Sequence, residues 1–219
     1  MARHAHALED KLARRQAILD AARQLFVAGA GELPTVLEIA GAAGLAKGTL
    51  YLYFRTREEI FCELILQLWL DMLGEIGAAF ETAKGPRSAK VAAYIDHLLE
   101  YLATCPEILR LDALAYSLER NVDPDVRREQ NLRFAAQLGD AGARADVALR
   151  LPAGRSVQIM MRSYALMRGL WQMTHQQQQR SGAPSGAPSD PILAQLFPDF
   201  EPTLREALKE YWRGALGGG

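Results

Sequence analysis

Residues 35–54, Thr-Val-Leu-Glu-Ile-Ala-Gly-Ala-Ala-Gly-Leu-Ala-Lys-Gly-Thr-Leu-Tyr-Leu-Tyr-Phe, decide how this chain folds. They read as two short helices joined by a glycine turn. Thr35 with Glu38 three residues on makes a capping box, which places the start of the first helix and leaves Val36, Ile39, Ala40 and Ala43 on one apolar side. Two helices that meet at a steep angle need a small residue where their backbones approach, which Ala40 supplies. They also need a turn residue able to take positive φ, which Gly44 supplies. Leu45, Leu50 and Tyr53 are expected to fill the wedge between them, with Lys47, Thr49 and Tyr51 carried on the second helix. The pattern predicts a helix-turn-helix, an arrangement that lays its second helix in the major groove of DNA.

The stretch Thr35 to Ile60 resembles the hallmark of the TetR family of one-component bacterial transcription regulators. The matching residues are Thr35, Ile39-Ala40, Ala43-Gly44, Lys47-Gly48-Thr49-Leu50-Tyr51, Tyr53-Phe54 and the polar turn running into Glu58 and Glu59. Several positions depart from the family pattern. Ala46 stands where relatives usually carry a serine that caps the reading helix and bonds a phosphate, and Leu52 where they often carry histidine. Arg57 and Ile60 replace lysine and leucine conservatively, and an arginine at 57 can engage a phosphate through two bonds. The resemblance and the spacing together give Thr35, Lys47, Gly48, Thr49, Tyr51, Leu52, Tyr53 and Arg57 as the expected DNA-contacting set. Thr49 and Tyr51 are expected near base edges or adjacent phosphates, and Lys47, Tyr53 and Arg57 on backbone phosphates.

The overall net charge of −1 looks wrong for a DNA binder until it is divided. Residues 1–57 hold eight Lys or Arg against five Asp or Glu, a balance of +3, and the remainder holds 17 against 21, a balance of −4. Phosphate neutralisation dominates the affinity of such proteins, so a basic amino-terminal part is what the function requires. No apolar run reaches the roughly 20 residues needed to cross a membrane and the first residues lack a signal-peptide core, so the expected location is cytoplasmic with no membrane partner. Cys62 and Cys105 stand alone in apolar helical contexts and read as buried structural thiols. His4, His6, His97 and His175 have no metal-ligand spacing.

Helical periodicity continues on both sides of the motif. Ile18, Leu19, Ala22, Leu25 and Phe26 predict a first helix from about Asp10 to Ala28. Its Lys11, Arg14 and Arg15 either meet phosphates or form a solvated face. Thr56 with Glu59 predicts a second capping box, followed by a long buried helix through Ile60, Phe61, Leu64, Ile65, Leu68, Met72, Leu73 and Ile76 to about Lys84. Further helices are expected at 88–104, 106–119, 125–150, 155–178 and 201–216, with the fifth-from-last to last separated by proline or glycine breaks. Gly139 and Gly142 interrupt the helix propensity of 125–150. Gln176 to Gln179 and the Ser-Gly-Ala-Pro repeat at 181–188 have too little apolar content to fold and read as a mobile loop.

The expected fold is therefore all-α with about nine helices. By the resemblance, residues 1–56 form a three-helix DNA-binding domain and residues 57–219 a helical domain that binds a ligand and dimerises through its last two helices. Met160, Met167, Trp171, Leu204, Leu208, Tyr211 and Trp212 supply apolar bulk for a four-helix seam, although an intramolecular core would look the same in sequence. The expected activity is that of a repressor held on a palindromic double-stranded operator as a homodimer and released by a small, largely apolar effector. Tyr94, His97 and Tyr101 fall at i, i+3 and i+7, a helix face apolar in body and polar at its tips. With Trp69, Tyr116, Phe134, Arg162 and Trp171 they make the candidate ligand-contacting set. No cofactor or metal is expected. For the competing class, an enzyme, the sequence offers little: it holds no Gly-rich phosphate loop, no His-Glu-x-x-His, no Gly-x-Ser-x-Gly elbow and no helical Glu-x-x-His pairs. An all-helical adaptor whose helix-turn-helix packs only on protein would leave Lys47, Thr49 and Tyr51 without a task.

Overall fold

The computed structural model describes residues 2–29, 31–181 and 199–217, and among them the chain forms nine α-helices and no strand. They are α1 (Ala2–Ala28), α2 (Val36–Ala42), α3 (Lys47–Leu50), α4 (Arg57–Thr82), α5 (Arg87–Thr104), α6 (Glu107–Glu119), α7 (Pro124–Leu149), α8 (Arg155–Ser181) and α9 (Phe200–Ala215). The chain divides into two compact units, Met1–Trp69 with Arg110–Phe134 and Leu70–Leu109 with Ala135–Gly219. The division falls inside α4, α6 and α7.

In the first unit, α1 buries Ile18, Leu19, Ala22 and Phe26, and the Phe26 ring meets Phe61 of α4 with centroids 6.1 Å apart. The helix begins at Ala2 rather than near Asp10, because Ala2 to Glu9 contains no breaker and alanine propagates a helix without needing to be buried. The stripe of α4 is inward as its period predicts, with Ile60, Phe61, Leu64, Ile65 and Leu68 all buried. Its capping box is altered. Thr56 Oγ1 accepts the Glu59 N–H at 3.0 Å, but the Glu59 carboxylate turns to the backbone N–H of Arg55 at 2.8 Å and not to that of Thr56. Cys62 is buried in the same helix, and burial followed by the charges of Glu119, Glu58, Glu59 and Glu63 pushes its thiol up to about 12.

The second unit is centred on an aromatic cluster. Phe80 of α4 stacks on Tyr94 of α5 at 5.5 Å, and Tyr94 meets Trp212 of α9 at 4.9 Å. Trp212 Nε1 donates to Ser163 Oγ of α8 at 3.0 Å, so the indole is fully buried with its one donor satisfied. The α8 start is capped from α7, where Asp146 Oδ1 accepts the Ser156 N–H and Oδ2 the Gly154 N–H, both at 2.7 Å. Helix α7 runs unbroken through Gly139 and Gly142. At Gly142 the gap in propensity has a packing reason, since a Cβ there would lie 2.4 Å from Val157 Cγ2 of α8.

Two expectations in this unit change. Helix α8 extends to Ser181, so the Gln176 to Gln179 run is helical; glutamine is an adequate helix former and α8 was already under way. The rest of the Ser-Gly-Ala-Pro repeat, 182–188, lies outside the described residues. Met160, Met167, Leu204, Leu208 and Trp212 are buried within the single chain, so they form intramolecular core rather than a seam offered to a second copy. Among the described residues no helix is long and apolar enough to cross a membrane.

Candidate nucleic-acid interface

The helix-turn-helix is built as its residues dictate. Thr35 Oγ1 accepts the Glu38 N–H at 3.3 Å, and Glu38 Oε2 accepts the Thr35 N–H and hydroxyl at 2.7 Å each, so both halves of the box are present. Those two donors hold the Glu38 carboxyl below the usual carboxylate range. Ile39 and Ala40 are buried, Gly44 takes φ +68°, and the Leu45 N–H returns to the Ala40 carbonyl at 2.8 Å, which closes the turn.

Helix α3 itself has only four residues, Lys47–Leu50, and tightens into i→i−3 bonds from Leu52 to Thr49 and Tyr53 to Leu50 at 3.1 and 2.9 Å. Ala46 is its N-cap and makes no side-chain capping bond, the consequence expected where alanine replaces serine. Leu50 and Phe54 are buried at 0% and 1% exposure, and Leu45 and Tyr53 are half-buried. Opposite them Lys47, Gly48, Tyr51 and Leu52 face solvent, Leu52 at 78% exposure, and Thr49 is half-buried. A Cβ at Gly48 would meet nothing within 4 Å, so the backbone there is open to close approach. Thr35 is also exposed. Arg57, the first residue of α4, is half-buried and shares an ion pair with Glu58 at 3.2 Å. The eight expected DNA-contacting residues thus lie in one unit, Thr35 as the N-cap of α2, Lys47, Gly48 and Thr49 on α3, Tyr51 to Tyr53 in the turn that follows it and Arg57 at the start of α4, with Lys47 and Tyr51 one turn apart.

Beneath this surface lies an ion cluster. Arg15 of α1 points inward: its guanidinium sits 4.1 Å over the Phe54 ring, donates to the Tyr53 carbonyl at 3.2 Å and pairs with Glu63 of α4 at 3.3 Å. Glu63 also accepts from Arg133 at 2.7 Å and Gln130 at 3.0 Å, both of α7. Burial pushes the Glu63 carboxyl up, but the bonds from Gln130 and Arg133 and the charges of Arg133 and Arg15 outweigh it and hold the group below its ordinary range. Lys11 and Arg14 are exposed. The sequence did carry a signal for this cluster, a lone Glu63 inside the apolar run of α4, whereas its partners are too distant in sequence to be read.

The eight candidate ligand-contacting residues are spread over the two units. In the first, Trp69 is buried with Nε1 donating to Asp112 Oδ1 at 3.2 Å, Tyr116 is 76% exposed and Phe134 half-buried. In the second, Tyr94 is buried in the aromatic cluster with its phenol pushed up to about 12, burial being the main cause. His97 is exposed with Nδ1 2.9 Å from the Ala93 carbonyl, Tyr101 is half-buried and Arg162 exposed. Trp171 stacks on His175 at 4.3 Å. Tyr94, His97 and Tyr101 therefore sit at three different depths.

This geometry has relatives. Residues 18–64 match the family model for bacterial regulatory proteins of the tetR family, and residues 66–218 match that for the tetracyclin repressor-like C-terminal domain. Solved structures of the same fold include a TetR transcriptional regulator from Rhodococcus sp. RHA1, 16% identical over 95% of this chain and 98% of that one, with a TM-score of 0.56. Another is the regulator FadR from Bacillus subtilis in complex with stearoyl-CoA, 19% identical over 90% of this chain and 98% of that one, with a TM-score of 0.53. No curated protein sequence matches this one. With the helix-turn-helix in one matched segment and α5 to α9 in the other, the chain belongs to the TetR family of transcription regulators, DNA-binding proteins that are not enzymes.

Proposed function

We propose that this regulator is a repressor, bound as a homodimer to a palindromic operator and released when a small, largely apolar effector binds within residues 57–219, with residues 1–56 as the reading part. The observation that carries the DNA-facing half is the division of the reading turn. Leu50 and Phe54 are buried while Lys47, Gly48, Tyr51 and Leu52 are open, so a cation, an uncovered backbone and two apolar surfaces are presented together. Lys47 and Arg57 suit phosphates, Tyr51 and Thr49 suit base edges, and exposed Leu52 suits a thymine methyl group. A chromosomal operator as partner supports a cytoplasmic location.

Two reading turns in successive major grooves need a two-fold axis, which supports a dimer through α8 and α9. The outward side of α8 carries Met161 and Met173 at 42% and 54% exposure, with a Cβ at Gly169 meeting nothing within 4 Å. The effector reading draws support from the apolar interior of the second unit and from the Bacillus subtilis regulator of similar fold, whose structure is a complex with stearoyl-CoA. Tyr94, His97, Tyr101 and Tyr116 are the residues to substitute. Loss of effector response with DNA binding intact is expected, and His97→Ala and Tyr101→Ala variants that release DNA at the parent's effector concentration place the site elsewhere. Selection of duplexes from a random-sequence pool tests the rest: the expected product is an inverted repeat bound by two chains, and enrichment of no duplex refutes the reading.

A further inference from the structure

Helix α3 is too short to hold its own shape, since a helix of one turn does not form without tertiary support. Leu50 and Phe54 anchor it by apolar burial, which is non-directional and fixes a depth better than an angle. The directional contact at its far end is the bond from Arg15 Nη1 to the Tyr53 carbonyl, 3.2 Å, made by the same guanidinium that covers the Phe54 ring. Arg15 is in turn held by Glu63, whose side chain is 4% exposed and whose two oxygens are divided between helices. Oε2 takes Arg15 and Gln130, and Oε1 takes Arg133.

We infer that Glu63, braced by Arg133 and Gln130 of α7, is a positioning residue for DNA binding: it fixes Arg15, and Arg15 fixes the Tyr53–Phe54 end of the reading turn. This rests on the proposal above that the turn faces DNA. A buried carboxylate between two guanidiniums is a poor source of net stability compared with apolar packing, because desolvation offsets much of the attraction. What such a cluster gives is a defined position, and here the thing positioned carries Tyr51, Leu52 and Tyr53. The first part of α7, up to Phe134, shares the compact unit of the reader. The clamp thereby makes a segment some 70 residues away in sequence part of the DNA-binding apparatus.

Glu63→Gln leaves two cations facing a neutral group and is prone to unfold, so the informative variant is Arg133→Met, which leaves Arg15 and Glu63 as a balanced pair. The probe is a duplex selected from a random-sequence pool on the parent protein. Arg133→Met is expected to bind it about tenfold more weakly, a coupling of ordinary size for residues in one ion network. The protein should remain fully folded at the assay temperature, and the salt slope should be unchanged because no phosphate contact has gone. Arg133→Lys should recover part of the affinity. In an Arg15→Met background, Arg133→Met should add little, since the route to the turn is already cut. Parent affinity for Arg133→Met, or an equal loss in the Arg15→Met background, overturns the clamp, as does a slope lowered by about 0.9 per bound chain, about 1.8 for a dimer, the signature of a direct phosphate contact. A parent that enriches no duplex overturns the DNA-facing reading and the clamp with it, whereas a parent that binds beside an indifferent Arg133→Met overturns the clamp alone.

Discussion

Lys47→Ala removes the exposed cation at the first position of α3, and its effect follows from counting charges. Each phosphate neutralised by a lysine contributes about 0.9 to the slope of log affinity against log salt. One Lys47 per reading turn and two turns per dimer give a slope lower by about 1.8. At about 0.1 M salt, taking 1 M as the point where the ionic contribution vanishes, this amounts to roughly a 60-fold loss, and to about 8-fold if a single chain binds. The loss should be the same on every duplex, because phosphates carry no sequence. Titrating a fluorescent selected duplex between about 50 and 200 mM salt measures slope and affinity together, and a scrambled duplex supplies the non-specific arm. A variant whose slope equals the parent's refutes the placement of Lys47 on a phosphate. A change confined to the selected duplex would make it a base-reading residue instead.

Other perturbations have signs fixed by the structure. Glu63 has its pKa depressed below the ordinary 4.5, so its contribution to stability is complete above that value and is lost as pH falls through the depressed one. Thermal unfolding in acid should show this loss in the parent and a shallower one in any Glu63→Gln protein that folds. Gly142→Ala drives a methyl group into Val157 and should destabilise by about 1–3 kcal/mol, with Val157→Ala relieving most of it; a stable Gly142→Ala single variant would show that α7 and α8 can separate at no cost. Thr35→Ala removes the α2 cap and should lose about 1 kcal/mol in denaturant unfolding, an expectation refuted by an unchanged midpoint. Tyr51→Ala and Thr49→Ala should alter preference among selected duplexes while leaving the salt slope alone, and unchanged preference would remove both from the base edges.

The parts of the molecule that could be read in advance are those whose cause is local. The Thr35–Glu38 box, the turn at Gly44 and the apolar stripe of α4 each depend on residues three to seven apart, and each stands as its spacing implies. Helix α7 shows the limit of that reasoning. Gly139 and Gly142 lower its propensity, yet Gly142 is there because Val157, on another helix, leaves no room for a side chain. The Glu63 cluster joins residues 67 and 70 positions apart, a separation at which no periodicity survives. Aromatic residues were the least legible. Tyr94 and Tyr116 are the same residue type on neighbouring helices of the chain, but one is locked among Phe80 and Trp212 and the other is 76% exposed, and nothing in a tyrosine's immediate neighbours distinguishes the two.

Neither cysteine is in a disulfide and both are buried, and at Cys62 a thiol near 12 is deprotonated to only about one part in ten thousand at pH 8. Alkylating reagents attack the thiolate, so the native protein offers them almost nothing at that position. A cysteine placed at an exposed site such as Leu12 or Leu132 would then react with a maleimide dye or spin label ahead of the natural pair. Distances between such labels on two chains could be followed during DNA release without first stripping Cys62 from the core that holds it.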